Sequence, residues 1–431
     1  MTEDWKREFY KNGYPREVIV IEDSPTPSPL NYATTESTIS SSPYNRKRYA
    51  DHQQQPLNTK RSKWNDTASN NELLAYHVLP NPAYTLPIPP PLLLQQQQQM
   101  MPPVYDDKDG HYIIRINESL TPQYKIMRIL GQGTFGRVVE CYDRVRRKFC
   151  AIKIIRAIPK YRDASKIEIR VLNTLKKHDP LNLNKCIHLV EWFDYRNHVC
   201  MVFELLGQSV FDFLKASQFK PLPSYYIQLL AKQLLTSVAF LHELKLIHTD
   251  LKPENILLVN RDSHSDIRLI DFGSATFEQD YHSAIVSTRH YRAPEIIMGL
   301  GWSYPCDIWS IGCILVEFFT GEALFQTHDN IEHLAMMESV LGPIPTHMIH
   351  NASKEAKNWF INNKLKYPPS STRQSRRLLV NGLKPLDQIV PPITTYNMHL
   401  NDLLKKILVY EPSARISARE ALRHPFFHFP C

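Results

Sequence analysis

His248, Thr249, Asp250, Leu251, Lys252, Pro253, Glu254 and Asn255 put a carboxylate, an ammonium and a carboxamide into one short stretch. Asp271, Phe272 and Gly273 follow. Such groups suit phosphoryl transfer from a metal-bound nucleotide. Asp250 can orient and deprotonate a hydroxyl, Lys252 can neutralise a γ-phosphate, and Asn255 with Asp271 can hold Mg²⁺. A single stretch of this kind also arises by chance in loops. Its weight depends on further parts standing in the right order.

Upstream, Gly131, Gly133, Gly136 and Val138 fit the pattern G-x-G-x-x-G-x-V. The chain has only 13 glycines in 431 residues, so this local density is informative. Ile126, Ile129 and Leu130 precede the glycines, and Val138 and Val139 follow. That pattern predicts strand, turn, strand, whereas a dinucleotide fingerprint opens into a helix. Glycine there lets backbone N–H groups approach phosphate oxygens without a Cβ clash. The expected nucleotide loop is Leu130, Gly131, Gln132, Gly133, Thr134, Phe135, Gly136, Arg137 and Val138. Lys153 ends the short apolar run from Cys150. Glu168 lies in a helical segment with Ile167, Val171, Leu172 and Leu175 on one face. A Lys153–Glu168 ion pair would hold the lysine against the α- and β-phosphates.

Arg292-Ala293-Pro294-Glu295, Cys306 to Gly312 and Arg415 complete the order. Over roughly residues 124–429 the chain resembles a eukaryotic protein kinase. The resemblance implies an α+β, two-lobed fold, with a small lobe of about 124–206 and a large lobe of about 207–429. It implies ATP and Mg²⁺, with Asp250, Lys252, Lys153 and Glu168 as catalytic residues and Asn255 and Asp271 on the metal. Asp307 would brace the catalytic loop, and Glu295 would pair with Arg415. Leu172, Leu189, His248 and Phe272 would stack as a spine. Val138, Ala151 and Leu257 would sandwich adenine behind a bulky Phe203, with backbone groups of Glu204 and Leu206 on its edge. Lys252 and Thr288 match Ser/Thr kinases. A scaffold that has lost catalysis usually lacks one of Lys153, Asp250, Asn255 or Asp271, and all are present.

A narrower resemblance rests on His248-Thr249-Asp250, Ser287 to Arg292, Val202 to Gly207, Gly301-Trp302-Ser303 and Glu332-His333-Leu334-Ala335-Met336-Met337-Glu338. These strings are similar to the LAMMER, or CDC-like, kinases, although Ser339 stands where the family usually has arginine. The resemblance implies Arg/Ser-rich splicing proteins as substrates, tyrosine autophosphorylation, and a nuclear location with some cytoplasmic protein. Read physically, Glu332–Glu338 is an amphipathic helix turn that buries Leu334, Met337 and Leu341. Thr249 replaces the arginine that in most kinases pairs with a phosphate on the activation segment. Threonine cannot form that ion pair.

Residues 1–108 hold 14 of the 32 prolines and one glycine, with a glutamine run at Gln95–Gln99. Backbone ordering costs about 1–2 kcal/mol per residue, and such a segment buries too little to offset it. A disordered extension is expected, with polyproline II near Leu86–Leu94. Within it, Lys47-Arg48 and Lys60-Arg61 resemble an import signal. Val18-Ile19-Val20-Ile21-Glu22-Asp23-Ser24 resembles a SUMO-interacting strand. The net charge of +8 is spread along the chain without a nucleic-acid motif, so no direct nucleic-acid contact is expected. Seven scattered cysteines suggest reduced thiols. No apolar stretch is long enough to span a membrane, and a monomer is expected.

Overall fold

A computed structural model describes residues 105–259, 266–369 and 372–428. The chain divides into two compact units, one of Met1–Ser24 with Tyr105–Cys431 and one of Pro25–Val104, and the described residues all belong to the first. The import signal, the proline run, the Val18–Ser24 strand and the expected disorder up to Met101 and beyond to Val104 lie outside the described residues.

The small lobe is an antiparallel sheet of β1 (Tyr124–Gln132), β2 (Gly136–Asp143), β3 (Lys148–Ile155), β4 (Leu189–Tyr195) and β5 (His198–Glu204), in the order β1-β2-β3-β5-β4. One helix, α1 (Pro159–His178), lies between β3 and β4. Strand periodicity sorts β3. Cys150, Ile152 and Ile154 are buried on one face, while Ala151 and Lys153 turn to the other. The first set forms a core with Ile126, Val139, Cys141, Cys200 and Val202.

That core is closed by residues placed outside the kinase domain from sequence. Tyr112 and Leu120 are buried within it, and Tyr105 and Ile114 pack against it. Tyr105–Lys108 belong to the folded body and not to a disordered extension, and residues 105–123 add a cover to the small lobe ahead of its first strand at Tyr124. The physical reason is the second apolar face of the sheet, which α1 does not reach and which must be covered.

The large lobe is mostly helical. It includes α2 (Val210–Ala216), α3 (Ser224–Glu243), α4 (Pro294–Met298), α5 (Pro305–Thr320) and α6 (Asn330–Leu341). The short strands β6 (Leu246–Ile247), β7 (Ile256–Leu258), β8 (Ile267–Leu269) and β9 (Thr276–Phe277) pair β6 with β9 and β7 with β8, framing the catalytic loop. α5 is buried from Cys306 to Phe318 without an exposed face. At its centre a Cβ on Gly312 would lie 2.6 Å from Ile407, so only glycine admits that approach. Among the described residues no helix is long and apolar enough to cross a membrane.

Beyond α6, the stretch from Pro343 to Pro392 adds short helices and a two-stranded hairpin, Phe360–Ile361 with Lys364–Leu365. The helix α7 (Gln374–Asn381) returns to α6: Arg376 forms an ion pair with the Glu332 carboxylate and donates to the Gln326 carbonyl at 2.6 Å. This changes the reading of Glu332–Glu338 as amphipathic. Glu332 to Met337 are all buried and Leu341 is half-buried, because the insert covers the face that would otherwise meet water.

His333 is enclosed there beside the Phe325 ring, 5.3 Å away, and neither ring nitrogen has a hydrogen-bond partner among the described residues. Burial holds its pKa well below the ordinary value, and Arg292, Arg289 and His290 add to the effect. The folded state therefore binds fewer protons than the unfolded state once the pH drops below the usual histidine range. Stability falls with pH there, by at most about 1.4 kcal/mol per unit. His333→Leu, of similar volume, should remove this slope. Its melting-temperature advantage over the wild type should widen from about pH 7 to about pH 5, measured by calorimetry.

Candidate active site

The Lys153 ammonium lies 2.8 Å and 3.0 Å from the two Glu168 carboxylate oxygens and 3.1 Å from Asp271 Oδ1. β3, α1 and the Asp-Phe-Gly turn therefore meet at one cation. Glu168 is buried and Asp271 is about a third exposed. The Lys153 charge, despite burial, keeps the Asp271 carboxyl below the usual carboxylate range. Asp271 takes a left-handed backbone conformation (φ 62°), uncommon for a non-glycine residue. Gly273 follows close by, and a Cβ there would make only ordinary contacts, 3.4 Å from Asp271 and 3.5 Å from Glu168.

The catalytic loop hangs on Asp307. Its buried carboxylate accepts from the N–H of His248 at 2.8 Å, the N–H of Thr249 at 2.9 Å and His242 Nε2 at 3.0 Å. Thr249 is held at φ 66°, which the two bonds to Asp307 stabilise. Downstream, Asp250 Oδ1 accepts from the Thr288 hydroxyl at 2.6 Å and the Thr288 N–H at 3.1 Å. Lys252 Nζ donates to Asp250 Oδ2 at 2.6 Å and to the Thr288 hydroxyl at 3.1 Å. Asn255 donates to the Asp250 carbonyl at 2.8 Å. A carboxylate aimed by a hydroxyl and an ammonium is suited to receive the proton of an incoming alcohol.

The spine residues are all buried, and the His248 and Phe272 rings meet edge-on at 5.3 Å. Glu295 and Arg415 form a bidentate pair at 2.8 Å and 3.1 Å, closed from solvent.

Val138, Ala151, Leu206 and Leu257 are half-buried, and Phe203 is buried opposite Ala151 in the pairing of β3 with β5. Glu204 ends β5 opposite Cys150, and its carboxylate reaches Arg268 at 3.3 Å. Leu130, Gly131 and Gln132 end β1, Gly133, Thr134 and Phe135 form the turn, and Gly136, Arg137 and Val138 open β2. The three glycines differ in cause. A Cβ on Gly136 would stand 2.1 Å from the Ile154 carbonyl, so β3 demands glycine there. Around Gly131 and Gly133 nothing lies within 4 Å. The protein's own packing does not require them, and the open space fits phosphate oxygens approaching backbone N–H groups.

No group of three or more His, Cys, Asp or Glu gathers as a metal cluster among the described residues. Asp271 and Asn255 offer hard oxygen donors, and a magnesium-type ion bound by one or two protein groups takes its other ligands from phosphate and water. The donor set fits.

Three residues that hold the activation segment were not legible as such in the motifs. Arg170, on α1 two residues past Glu168, reaches Asp280 at 2.6 Å and lies 4.1 Å over the Phe277 ring. The Thr249 hydroxyl donates to the Ser274 carbonyl at 2.9 Å. Trp302 stacks on His282 at 4.2 Å and donates to the Ser283 carbonyl at 2.8 Å. Only the oddity of Thr249 was a signal.

A site of this geometry defines a protein kinase, and the comparisons agree. The family model described as a protein kinase domain matches residues 124–427. The dual specificity protein kinase lkh1 of Schizosaccharomyces pombe is 54% identical over 76% of this chain, which spans 50% of that protein. The serine/threonine-protein kinase AFC1 of Arabidopsis thaliana is 49% identical over 75% of this chain and 74% of its own length. The human dual specificity protein kinase CLK2 is 46% identical over 75% of this chain and 68% of its own. A solved kinase domain, 35% identical, superposes with a TM-score of 0.70 over 74% of this chain and all of its own. The chain belongs to the protein kinase family, in its LAMMER branch.

Between Ser274 and Ser283 the activation segment is tied to other elements through the Ser274 and Ser283 carbonyls and the Glu278 and Asp280 carboxylates, and the hydroxyl that reaches the catalytic loop is that of Thr288. Replacing Ser274, Thr276, Tyr281 and Ser283 with alanine or phenylalanine should therefore leave most peptide-kinase activity. Asp280→Ala should lower kcat about tenfold, as expected for a lost charge-assisted hydrogen bond. Steady-state assays of both variants after phosphatase treatment check this.

Proposed function

We propose that this kinase transfers the γ-phosphoryl group of ATP, with Mg²⁺, to serine and threonine of proteins. We include Arg/Ser-rich splicing factors among its substrates and its own tyrosines as autophosphorylation sites. The observation that carries the reading is the single construction in which Lys252 bridges Asp250 and Thr288 within the frame set by Lys153, Glu168 and Asp271. Asp250 takes the hydroxyl proton, and Thr288 fixes its orientation. Lys252 offsets the charge moving onto the transferred group. Lys153, anchored by Glu168, positions the α- and β-phosphates. Asn255 and Asp271 hold the metal, which when bound neutralises phosphate charge. In this reading Leu130 to Val138 cover the phosphates, and Ala151, Glu204, Leu206 and Leu257 receive the base.

The same reading places the protein in the nucleus with some in the cytoplasm, as a monomer. It gives Val18–Ser24 a SUMO-type partner and makes no direct contact with nucleic acid or membrane. The relatives' names support the kinase chemistry, and the substrate class and location rest on the LAMMER resemblance.

A peptide array phosphorylated by the purified protein tests the substrate class, with Asp250→Asn as control. Strong labelling of Arg/Ser repeats is expected, and labelling independent of arginine content would refute that class. Lys153→Arg should keep the melting temperature yet lose most ATP turnover. A planar guanidinium cannot replace a compact ammonium between Glu168 and two phosphates. Turnover near that of the wild type would count against the role given to Lys153.

A further inference from the structure

The glycine loop has little of its own to hold it. Gln132, Gly133 and Thr134 are exposed, and the turn is closed by one bond, from the Gly133 N–H to the Gly136 carbonyl at 2.9 Å. Glycine-rich backbone carries high conformational entropy. Something outside the loop must hold it where phosphates arrive.

That support comes from the hairpin of Tyr105–Ile113, which enters the fold just before the kinase domain. Asp107 and His111 are paired, Ile113 donates to the Tyr105 carbonyl at 2.7 Å, and Gly110 turns the chain at φ 76°. Asp107 Oδ1 accepts from the N–H groups of Asp109 at 3.0 Å and His111 at 2.9 Å. Its other oxygen is free for a distant partner, and takes Arg137 Nη2 at 2.9 Å. Arg137 stands directly after Gly136. It also donates to Gln132 Oε1 at 2.8 Å, across the base of the loop, and to the Tyr112 carbonyl at 2.8 Å. The guanidinium thus ties both strands of the loop to the hairpin. A second link reaches the tip. Arg156 donates to the Asp109 carbonyl at 2.7 Å and to the Thr134 carbonyl at 3.3 Å, while the Ala157 N–H donates to the Gly110 carbonyl at 2.8 Å.

We propose that Asp107 is a positioning residue for the nucleotide loop: through Arg137 it sets where Gly131–Gly136 lie and so how tightly ATP is held. Burial pushes the Asp107 carboxyl up, but the N–H groups of His111 and Asp109 and the Arg137 charge outweigh it, and the group stays ionised at neutral pH.

The inference rests on reading Gly131–Val138 as the nucleotide loop, and Asp107→Asn isolates the link. Asparagine keeps the Oδ1 acceptor for the hairpin turn and removes the charge that Arg137 meets. In the full chain, KM for ATP and the Kd for Mg–ADP by calorimetry should each rise about five- to tenfold, the loss of a charge-assisted bond expressed as affinity. kcat and melting temperature should stay close to the wild type, and Asp107→Glu should restore part of the affinity. Arg137→Met, which also loses the bonds to Gln132 and the Tyr112 carbonyl, should weaken Mg–ADP binding at least as much, and the double variant should be no worse than Arg137→Met alone. Asp106→Asn is the control. Asp106 sits in the same hairpin but pairs with buried His198 at 2.8 Å, away from the loop. It should lower the melting temperature and leave nucleotide affinity alone. Unchanged affinity in Asp107→Asn, additive losses in the double variant, or an equal KM rise in Asp106→Asn would each overturn the assignment. Failure of the wild-type protein to bind Mg–ADP at all would overturn the nucleotide reading beneath it.

Discussion

One buried cation organises this molecule. The Lys153 ammonium sits among Glu168 and Asp271, and removing such charges from water costs several kcal/mol per ion unless they are matched. β3, α1 and the turn at Asp271 are therefore each held to a position that satisfies the others. α1 cannot rotate without drawing Glu168 away from Lys153. The Asp271 turn cannot relax its left-handed backbone without giving up its share of the charge. Two carboxylates sharing one ammonium leave an excess of negative charge. Divalent metal bound at Asp271 would offset that excess, so the resting pair and a loaded site call on the same groups.

The large lobe repeats the principle with polar groups sealed inside apolar helices. Asp307 gathers three donors from the catalytic loop and α3, and Glu295 takes both arms of Arg415. Glu317, fully buried on α5, accepts the Tyr291 hydroxyl at 2.7 Å. Each partner is far away in sequence, and losing one removes part of what satisfies a buried carboxylate. These bonds make the catalytic loop and the Ser287–Arg292 segment parts of one rigid body. The Asp250 carboxylate is thus held in a loop whose orientation is fixed by buried groups.

The parts of the site that do chemistry were legible because chemistry restricts residue type. Carboxylate, ammonium and carboxamide differ in charge and in what they donate or accept, so Asp250, Lys252 and Asn255 stand out together, and Gly136 has no room for a side chain against β3. The strands on either side of that loop followed from alternation, and α1 from its apolar stripe. What escaped was held by pairs whose members look ordinary. Arg170 and Asp280 are 110 residues apart, and Arg137 and Asp107 are 30 apart. Nothing in an arginine on a helix says which aspartate it will meet. The helix at Glu332–Glu338 was misjudged for a related reason. Its polar face is covered by a later insert, and amphipathicity read locally assumes that the other side meets water.

The start of the domain shows how an apolar surface can be decisive where a motif is silent. The glycine pattern draws attention to β1 and makes Tyr124 look like the first structured residue. Yet a five-stranded sheet with one helix on one face leaves Ile126, Val139, Cys141, Ile152 and Ile154 needing a cover on the other. A fully buried aliphatic side chain contributes about 1.5–3 kcal/mol, so a naked face of this size would be a large loss. Tyr112 and Leu120 supply the cover, and Asp109-Gly110 is the hairpin signal that makes their return possible. The segment that completes the core is also the one that grips the glycine loop. Core closure and the Arg137 anchorage of the β1–β2 turn thus share one short stretch of chain.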